Sequence, residues 1–228
     1  MASLDSAVAV GQRARVLVVD DHPLFRLGLT QLLAAAEGLE VCGEAAEASA
    51  AIALLKSEAP DVVVVDLMLK GSNGLQLVKD IKVRAPHVPV LVLSVHDELL
   101  FGERALRAGA AGYVMKDAPV DRIVEAIAQI ARGHLAVSAS LSMRMLRRVT
   151  AVPSAASTSP IDLLTDRELE VVELIGRGRE TREIASDLHV SAKTIETHRM
   201  RIKEKLGLVS ANELLRNAVG WISERDDE

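Results

Sequence analysis

Acidic, hydroxyl and amine side chains stand at the ends of four separate apolar runs in the first half of the chain. They are Asp20 and Asp21, Asp66, Ser94 and Lys116. Carboxylates that share a crevice repel one another, and either proton uptake or a divalent cation relieves that repulsion. Because Mg²⁺ takes oxygen ligands and keeps several waters, two carboxylates and one carbonyl are enough to hold it. These residue types therefore indicate a site for a metal ion and for phosphate chemistry.

The chemistry that such a site could perform is transfer of a phosphoryl group to a carboxylate. Asp66 follows the run that we expect in the centre of the sheet, so it is the predicted nucleophile. A metal would neutralise charge on the transferred oxygens, Lys116 would pair with one oxygen, and Ser94 would donate a hydrogen bond to another. A lone Asp at a strand end is more often a turn or cap residue, so the prediction depends on all four ends meeting.

The elements that must bring these residues together are strands and helices that alternate along the chain. Continuous apolar runs are typical of strands covered on both faces, and they lie at 15–20, 62–66 and 90–94, with shorter candidates at 39–43 and 112–115. Amphipathic helical segments follow at about 24–36, 47–58, 74–84, 98–108 and 119–132. This alternation predicts a parallel five-stranded sheet, in which ligands gather outside the carboxyl ends of the strands.

After Gly133 the pattern becomes helical. A segment at 138–150 is predicted to be a connector helix with a basic side, and the Ser-, Ala- and Pro-rich stretch 151–160 is predicted to be a flexible linker. The helices that follow are predicted at 166–175, 181–188, 192–206 and 210–222. Asp166 and Ser191 are candidate N-caps, and Gly176 and Gly207 are candidate stops. The C-terminal region is therefore predicted to be a second, all-α domain of four helices.

Composition limits the class of protein. The chain has 228 residues, of which 49% are hydrophobic and 26% charged, and this length and composition are typical of a soluble protein with two globular domains. Cys42 is the only cysteine, which excludes an internal disulfide and a cysteine zinc cluster and fits a reducing compartment. We see neither a signal peptide nor an apolar run of about 18 residues. We therefore expect a cytoplasmic protein without a membrane segment.

The predicted helices 181–188 and 192–206, joined by a tight turn, have the form of a helix-turn-helix, whose second helix can lie in the major groove of DNA. The net charge of −5 does not by itself suggest a nucleic-acid partner. Within 193–206, however, five basic residues stand against two acidic ones, a local net charge of +3. The alternative is a four-helix protein-interaction module with a solvated charged face, and charge alone favours that alternative.

The second of these helices has two faces. Ile195, Ile202 and Leu206 form the stripe expected to face the core. On the other side, base contacts are predicted for Lys193, Thr197 and Met200, and Glu196 could accept a hydrogen bond from a cytosine amino group or orient a neighbouring side chain. Phosphate contacts are predicted for the basic residues at the flanks, which are Arg199, Arg201, Lys203 and Lys205. Thr194 and His198 complete the predicted DNA-binding set.

The first domain resembles a known family in several separated motifs. These are 20–28 (Asp-Asp-His-Pro-Leu-Phe-Arg-Leu-Gly), the strand end at Asp66, 93–97 (Leu-Ser-Val-His-Asp) and 109–116 (Gly-Ala-Ala-Gly-Tyr-Val-Met-Lys). In this order they are similar to the receiver domain of NarL/FixJ-type response regulators, and the resemblance covers about residues 13–134. It implies a flavodoxin-like α/β fold with strand order 2-1-3-4-5.

The resemblance also implies roles for the acidic residues. Asp66 would accept a phosphoryl group from a sensor histidine kinase. Asp21 and Asp66 would bind Mg²⁺ together with the main-chain carbonyl of Met68, and Asp20 would act largely through water. One departure concerns the third and fourth positions after Asp66, where the family commonly has Met-Pro and this chain has Leu69-Lys70. The rigid turn is lost and a positive charge is added, which affects the expected Mg²⁺ affinity and phosphoryl lifetime.

The same resemblance predicts a switch. Ser94 would turn toward the phosphoryl group and Tyr113 would rotate inward behind it, which would change the surface formed by residues 95–115. Met68 and His96 stand where the family tunes the rate of dephosphorylation, so they are predicted to set the phosphoryl lifetime.

The C-terminal domain resembles the LuxR-type helix-turn-helix over about residues 161–222. The matching segments are 164–171, 183–185, 191–198 and 205–207. The resemblance implies a last helix available for dimerisation through Leu214, Leu215, Ala218 and Ile222. Such a dimer would read two DNA half-sites about 10 bp apart.

We therefore predict a phosphorylation-dependent transcription regulator and not an enzyme. Its domains are a receiver at 13–134, a connector helix and linker at 135–160, and a DNA-binding domain at 161–228. Its predicted partners are a histidine kinase, double-stranded DNA and, when phosphorylated, a second copy of itself. One alternative is a phosphatase. The haloacid-dehalogenase-like class, however, has a second Asp two positions after the nucleophile as its general acid, and this chain has Met68 there. Another is a constitutive DNA-binding or scaffold protein, which the Leu69-Lys70 departure supports.

Overall fold

The computed structural model describes residues 13–70, 72–150 and 160–226, and the chain divides into two compact units between residues 146 and 147. The predicted linker at 151–160 lies, apart from Pro160, outside the described residues. None of the helices in the described ranges is both long enough and apolar enough to cross a membrane.

The first unit is built on a five-stranded parallel sheet. The strands of this sheet are β1 (Ala14–Val19), β2 (Leu39–Ala45), β3 (Val62–Val65), β6 (Val90–Ser94) and β7 (Gly112–Met115). Two further strands, β4 (Met68–Leu69) and β5 (Ser72–Asn73), form a short hairpin. The sheet order is β2-β1-β3-β6-β7, and the antiparallel pair β4-β5 stands apart from it. Counting the sheet strands alone, this is the predicted order 2-1-3-4-5, so the flavodoxin-like fold is confirmed.

Helices cover the sheet and explain why its central strands are uninterrupted apolar runs. They are α1 (Pro23–Ala35), α2 (Ala48–Glu58), α3 (Gly74–Arg84), α4 (Glu98–Arg107) and α5 (Val120–Ala131). The four valines of β3 are all buried, as a central parallel strand requires. Two of these helices begin with a side-chain N-cap. The Asn73 side chain accepts from two N–H groups of α3, and the Asp97 side chain accepts from one N–H group of α4.

The first unit does not end at residue 134, where we placed the boundary of the first domain. Ala136 is hydrogen-bonded to the edge strand β7 and to the residue before it. Its carbonyl accepts from the N–H of Tyr113 at 2.9 Å, and its N–H donates to the carbonyl of Ala111 at 3.0 Å. The next helix, α6 (Ala139–Thr150), begins within this unit, and its Leu141 is fully buried. The predicted connector therefore starts as part of the core of the first unit.

The second unit is all helical, as predicted. A 3-10 turn (Pro160–Leu163) precedes α7 (Asp166–Gly176), α8 (Thr181–Asp187), α9 (Ala192–Leu206) and α10 (Ala211–Asp226). Ser191 caps α9 and Gly207 ends it at φ +66°, as predicted. The cap of α7 is Thr165 and not Asp166, because the Thr165 hydroxyl accepts from the N–H of Glu168 and the Glu168 carboxylate accepts from the N–H of Thr165.

Candidate phosphate site and candidate nucleic-acid interface

The carboxyl edge of the sheet holds a buried ion-pair cluster. Asp66, 1% exposed, follows β3, and Asp20, also buried, follows β1. The ammonium of Lys116, which follows β7, lies 2.6 Å from Oδ2 of both carboxylates. Burial, and next the negative charge of Asp66, raise the pKa of the Asp20 carboxyl. Three of the predicted strand ends thus meet in one pocket.

His22 is a further member of this pocket, which the sequence analysis did not count among the site residues. Its Nδ1 lies 2.9 Å from Oδ1 of Asp21, 3.4 Å from Oδ1 of Asp20 and 3.7 Å from Oδ2 of Asp66. The nearby Asp66 carboxylate raises the pKa of the imidazole against the opposing effect of burial. The only signal in the sequence was that His22 directly follows the two aspartates.

Phe25 and Arg26 of α1 are two further neighbours that the sequence reasoning did not single out. The ring of Phe25 lies under the ammonium of Lys116, 4.5 Å from its centroid, in a cation–π contact. Arg26 donates to the main-chain carbonyl of Asp20 at 2.6 Å. Both contacts hold the charged groups of the pocket from the α1 side.

The donor set fits a hard divalent cation. Single ligand atoms of Asp20, Asp21, His22 and Asp66 lie within 4.8 Å of one another. Three of them are carboxylate oxygens, which Mg²⁺ prefers. Burial, and next the charge of Asp66, raise the pKa of the Asp20 carboxyl, and a cation would stabilise both carboxylates in their charged form. Which atoms bind the ion remains a prediction.

The loop after Asp66 takes the form of the β4-β5 hairpin. The Met68 N–H donates to Oδ1 of Asp66 at 3.1 Å, which fixes the carboxylate from the side opposite Lys116. Leu69 is buried, whereas Lys70 is exposed, so the charge of Lys70 is directed to solvent. Gly74 permits this loop to close, because a Cβ there would lie 2.3 Å from the main-chain oxygen of Asp66.

The predicted switch residues belong to one buried cluster. The Ser94 hydroxyl accepts from the N–H of His96 at 3.2 Å, and the Tyr113 hydroxyl donates to the His96 carbonyl at 2.9 Å. Tyr113 is therefore already in an inward position. The His96 ring is buried and stacks on Phe101 of α4, with ring centroids 4.6 Å apart. His96 thus packs under α4, and any effect of its side chain on phosphoryl lifetime must be exerted from a buried position.

In the second unit, α9 has the predicted two faces. Ile195 and Ile202 are fully buried, and Leu206 is half-buried. Lys193 and Met200 are exposed on the opposite side, as expected for side chains that contact bases. The hydroxyl of the half-buried Thr197 donates to the Lys193 carbonyl at 3.0 Å, so it can offer a base only its acceptor side and its methyl group.

One flank of α9 is hydrogen-bonded to α8. Thr181 donates its hydroxyl to Oε1 of Glu196 at 2.9 Å and accepts from Nη1 of Arg199 at 3.0 Å. Arg201 is exposed and Lys203 half-buried, and their contacts with phosphate stay a prediction.

The opposite flank of α9 contacts α7. The ammonium of Lys205 lies 2.6 Å from Oε2 of the buried Glu168 in α7, so this charge is engaged within the domain. His198 is half-buried on the same side, and burial, and next the charge of Arg167, lower the pKa of its imidazole. Thr194 shares a 2.8 Å hydrogen bond with the Ser191 hydroxyl at the helix start. Lys205 thus has a partner within its own domain although its side chain is 36% exposed, and the DNA contacts of Lys205, His198 and Thr194 stay predictions.

The expected dimerisation face is wrong in two of its four residues. Leu214 and Ala218 are fully buried inside their own domain. A Cβ on Gly176 of α7 would lie 2.3 Å from Ile222 Cδ1, so the half-buried Ile222 also packs against α7. Leu215, 42% exposed, remains available to a partner, with the exposed Val219 one turn away and the half-buried Ile222 beyond it.

Two family models match the chain in the order of its two units. Residues 16–128 match the response regulator receiver domain, and residues 162–218 match the bacterial regulatory proteins of the luxR family. These proteins are DNA-binding transcription regulators.

Full-length relatives cover both units together. The chain is 36% identical over 205 residues to the response regulator GacA of Pseudomonas aeruginosa, which covers 90% of this chain and 95% of that protein. It is 36% identical over 197 residues to the probable transcriptional regulatory protein NarL of Mycobacterium tuberculosis, covering 86% and 89% of the two chains. A structure of RcsB from Salmonella enterica serovar Typhimurium, bound to the promoter rprA with the phosphomimetic BeF3-, superposes with a TM-score of 0.58 at 26% identity, covering 90% and 98%.

Proposed function

We propose that this chain, which belongs to the response regulators that join a receiver domain to a luxR-type DNA-binding domain, controls transcription through phosphorylation of Asp66. The observation that supports the choice of Asp66 is its burial at the carboxyl edge of the sheet, beside the Lys116 ammonium. Asp66 is buried in the centre of the carboxyl edge, between the Lys116 ammonium and the Met68 N–H. Carboxylate and ammonium groups from distant parts of the chain thus meet at one nucleophile.

The phosphoryl donor is a phosphohistidine of a sensor kinase. A carboxylate oxygen of Asp66 attacks phosphorus, the P–N bond breaks, and the leaving imidazole nitrogen keeps the bonding pair and takes up a proton. Lys116 moves from the carboxylate to an oxygen of the new acyl phosphate, and Ser94 donates to another. Asp20, Asp21 and Asp66 would hold Mg²⁺ with the Met68 carbonyl, and this ion supplies neutralisation of the transferred charge.

The start of α6 is placed to transmit the change, because it contacts two elements of the predicted switch surface. The Ala136 carbonyl accepts from the N–H of Tyr113 on β7. The N–H of Ser138 donates to the Glu98 carboxylate of α4 at 3.0 Å. The side chain of Leu141 occupies the space next to Gly102, where a Cβ would lie 2.6 Å from its Cδ2. A movement of α4 or Tyr113 therefore changes the contacts of the connector. Phosphorylation can shift the connector between two states only if it stabilises one of them more than the other, and these contacts provide such a difference.

DNA recognition is assigned to the exposed face of α9. Lys193 and Met200, together with Thr197, would contact base edges, and Arg199, Arg201 and Lys203 would contact phosphates. The phosphorylated chain would act as a homodimer, with Leu215 of α10 at the interface of the DNA-bound domains. Because DNA is the target, we place the regulator in the cytoplasm, where it acts as a switch and not as a turnover enzyme.

The test combines phosphorylation with selection of DNA. The full chain is treated with acetyl phosphate and Mg²⁺, the modified residue is located by mass spectrometry, and binding sites are selected from a random double-stranded pool with and without the donor. We expect one acyl phosphate on Asp66 and tighter binding after treatment, and both effects should disappear in Asp66→Asn. If Asp66→Asn bound the selected DNA as tightly as the treated wild type, the chain would be a constitutive DNA-binding protein. Rapid turnover of a simple phosphomonoester would instead indicate a phosphatase.

A further inference from the structure

A chain of two hydrogen bonds joins the start of α8 to the flank of α9. The Thr181 hydroxyl has one proton, which it donates to Oε1 of Glu196 at 2.9 Å. The hydroxyl oxygen of Thr181 accepts from the Arg199 guanidinium at 3.0 Å. Because a hydroxyl has a single proton and the guanidinium has no acceptor, the direction of both bonds is fixed. Thr181 therefore sets the positions of an acidic and a basic side chain at once.

The hydroxyl of Thr181 is not needed to cap its own helix. Glu180 is the N-cap residue of α8, and its N–H donates to the Glu183 carboxylate at 2.9 Å. Thr181 is the first helical residue, and its side chain is directed to α9. A purely local role in starting α8 would not require this contact.

Glu196 is an exposed carboxylate near the start of a helix whose surface is mainly basic, and the other exposed acid, Glu204, lies two turns farther along. Phosphates repel such a group, so its presence beside DNA is favourable only if it accepts a hydrogen bond from a base. In the major groove, cytosine presents an amino donor that a Glu side chain can accept from. Since Oε1 is bonded to Thr181, Oε2 is the atom that can reach this donor.

We propose that Thr181 is a positioning residue that determines specificity: its hydroxyl holds Glu196 so that Oε2 accepts from the amino group of one cytosine in each half-site. The same hydroxyl holds Arg199 to the side, where it contacts the phosphate backbone. The proposal rests on the assignment of α9 as the DNA-reading helix. In the absence of the hydroxyl, Glu196 and Arg199 stand three residues apart on one helix and pair directly with each other.

The test measures a base preference rather than overall affinity. Binding sites for the full chain, treated with acetyl phosphate and Mg²⁺, are selected from a random double-stranded pool. The Kd is then measured for the selected site and for three variants that replace the cytosine. The proteins are wild type, Thr181→Val, the conservative Thr181→Ser and Glu196→Ala.

We expect Thr181→Val to lower the preference for cytosine about fivefold, the effect of one hydrogen bond. Thr181→Ser should retain the preference, and Glu196→Ala should lose it. Combining Thr181→Val with Glu196→Ala should cost no more than Glu196→Ala alone, because both changes act on one contact. Affinity for an unrelated DNA sequence should also fall in Thr181→Val, because Arg199 then pairs with Glu196 and its phosphate contact is lost, but this loss does not depend on the base and is separate from the change in cytosine preference.

Three results would overturn this assignment. An unchanged base profile in Thr181→Val would show that the hydroxyl does not position Glu196. A uniform loss of affinity for all four bases, accompanied by a lower Tm, would show a role limited to folding. If the wild type selected no sequence at all, DNA reading by α9 would itself be refuted, and the role of Thr181 with it.

Discussion

Replacing Leu141 by Ala tests whether the connector belongs to the receiver core. Leu141 is 0% exposed and fits beside Gly102 of α4. The substitution removes three carbon atoms, which corresponds to a transfer free energy of about 2.4 kcal/mol at about 0.8 kcal/mol for each group. The cavity left behind adds to this loss, so the free energy of unfolding of the first unit should fall by about 2.5–4 kcal/mol.

The chain provides a natural way to observe its two units separately. Trp221 is the only tryptophan and lies in α10, so its fluorescence reports the unfolding of the second unit. Circular dichroism reports both units. In urea, Leu141→Ala should shift the transition seen by circular dichroism but not by fluorescence. The control is Met143→Ala, which changes an exposed side chain of the same helix and should shift neither transition by more than about 0.5 kcal/mol.

The result that would refute this reasoning is a first-unit transition of Leu141→Ala within about 0.5 kcal/mol of wild type. In that case α6 would be a loosely attached linker in solution. The route by which we propose that phosphorylation reaches the second unit would then have lost its physical basis.

Two further predictions concern the second unit and use the same fluorescence signal. Burial raises the pKa of Glu168, but the hydrogen bonds from Lys205 and Thr165 outweigh it and lower the pKa below its unfolded value of 4.5. The Glu168 carboxylate therefore stabilises the fold above pH 4.5, and this contribution is lost as the pH falls below that value. Glu168→Gln should therefore cost about 1–2 kcal/mol at pH 7 and progressively less below pH 4.5, and an equal cost at pH 3 would contradict the ion pair. Leu215→Asp should leave the Tm unchanged and weaken dimeric DNA binding, whereas Leu214→Asp should unfold the domain, and a similar Tm for both variants would contradict the burial difference.

Much of the fold follows from local patterns in the sequence. Uninterrupted runs such as Val62–Val65 predict strands covered on both faces, and the bounds of α3 and α9 are those predicted. These patterns are reliable here because strand and helix periods, caps and stops depend on neighbouring residues. Because strand ends in a parallel sheet meet at one edge, the position of Asp66 near Lys116 could also be predicted from topology.

Tertiary structure decided which partner each side chain meets. The sequence shows an apolar stripe on α10, but only packing against α7 reveals that Leu214 is buried while Leu215 is exposed. It shows a basic residue at position 205, but not that Glu168 engages it. It also places Leu141 in a connector, although this residue fills space beside Gly102. Such contacts join residues far apart in the chain, and the direction of a long side chain is set by the neighbours that folding brings to it, which no local period encodes.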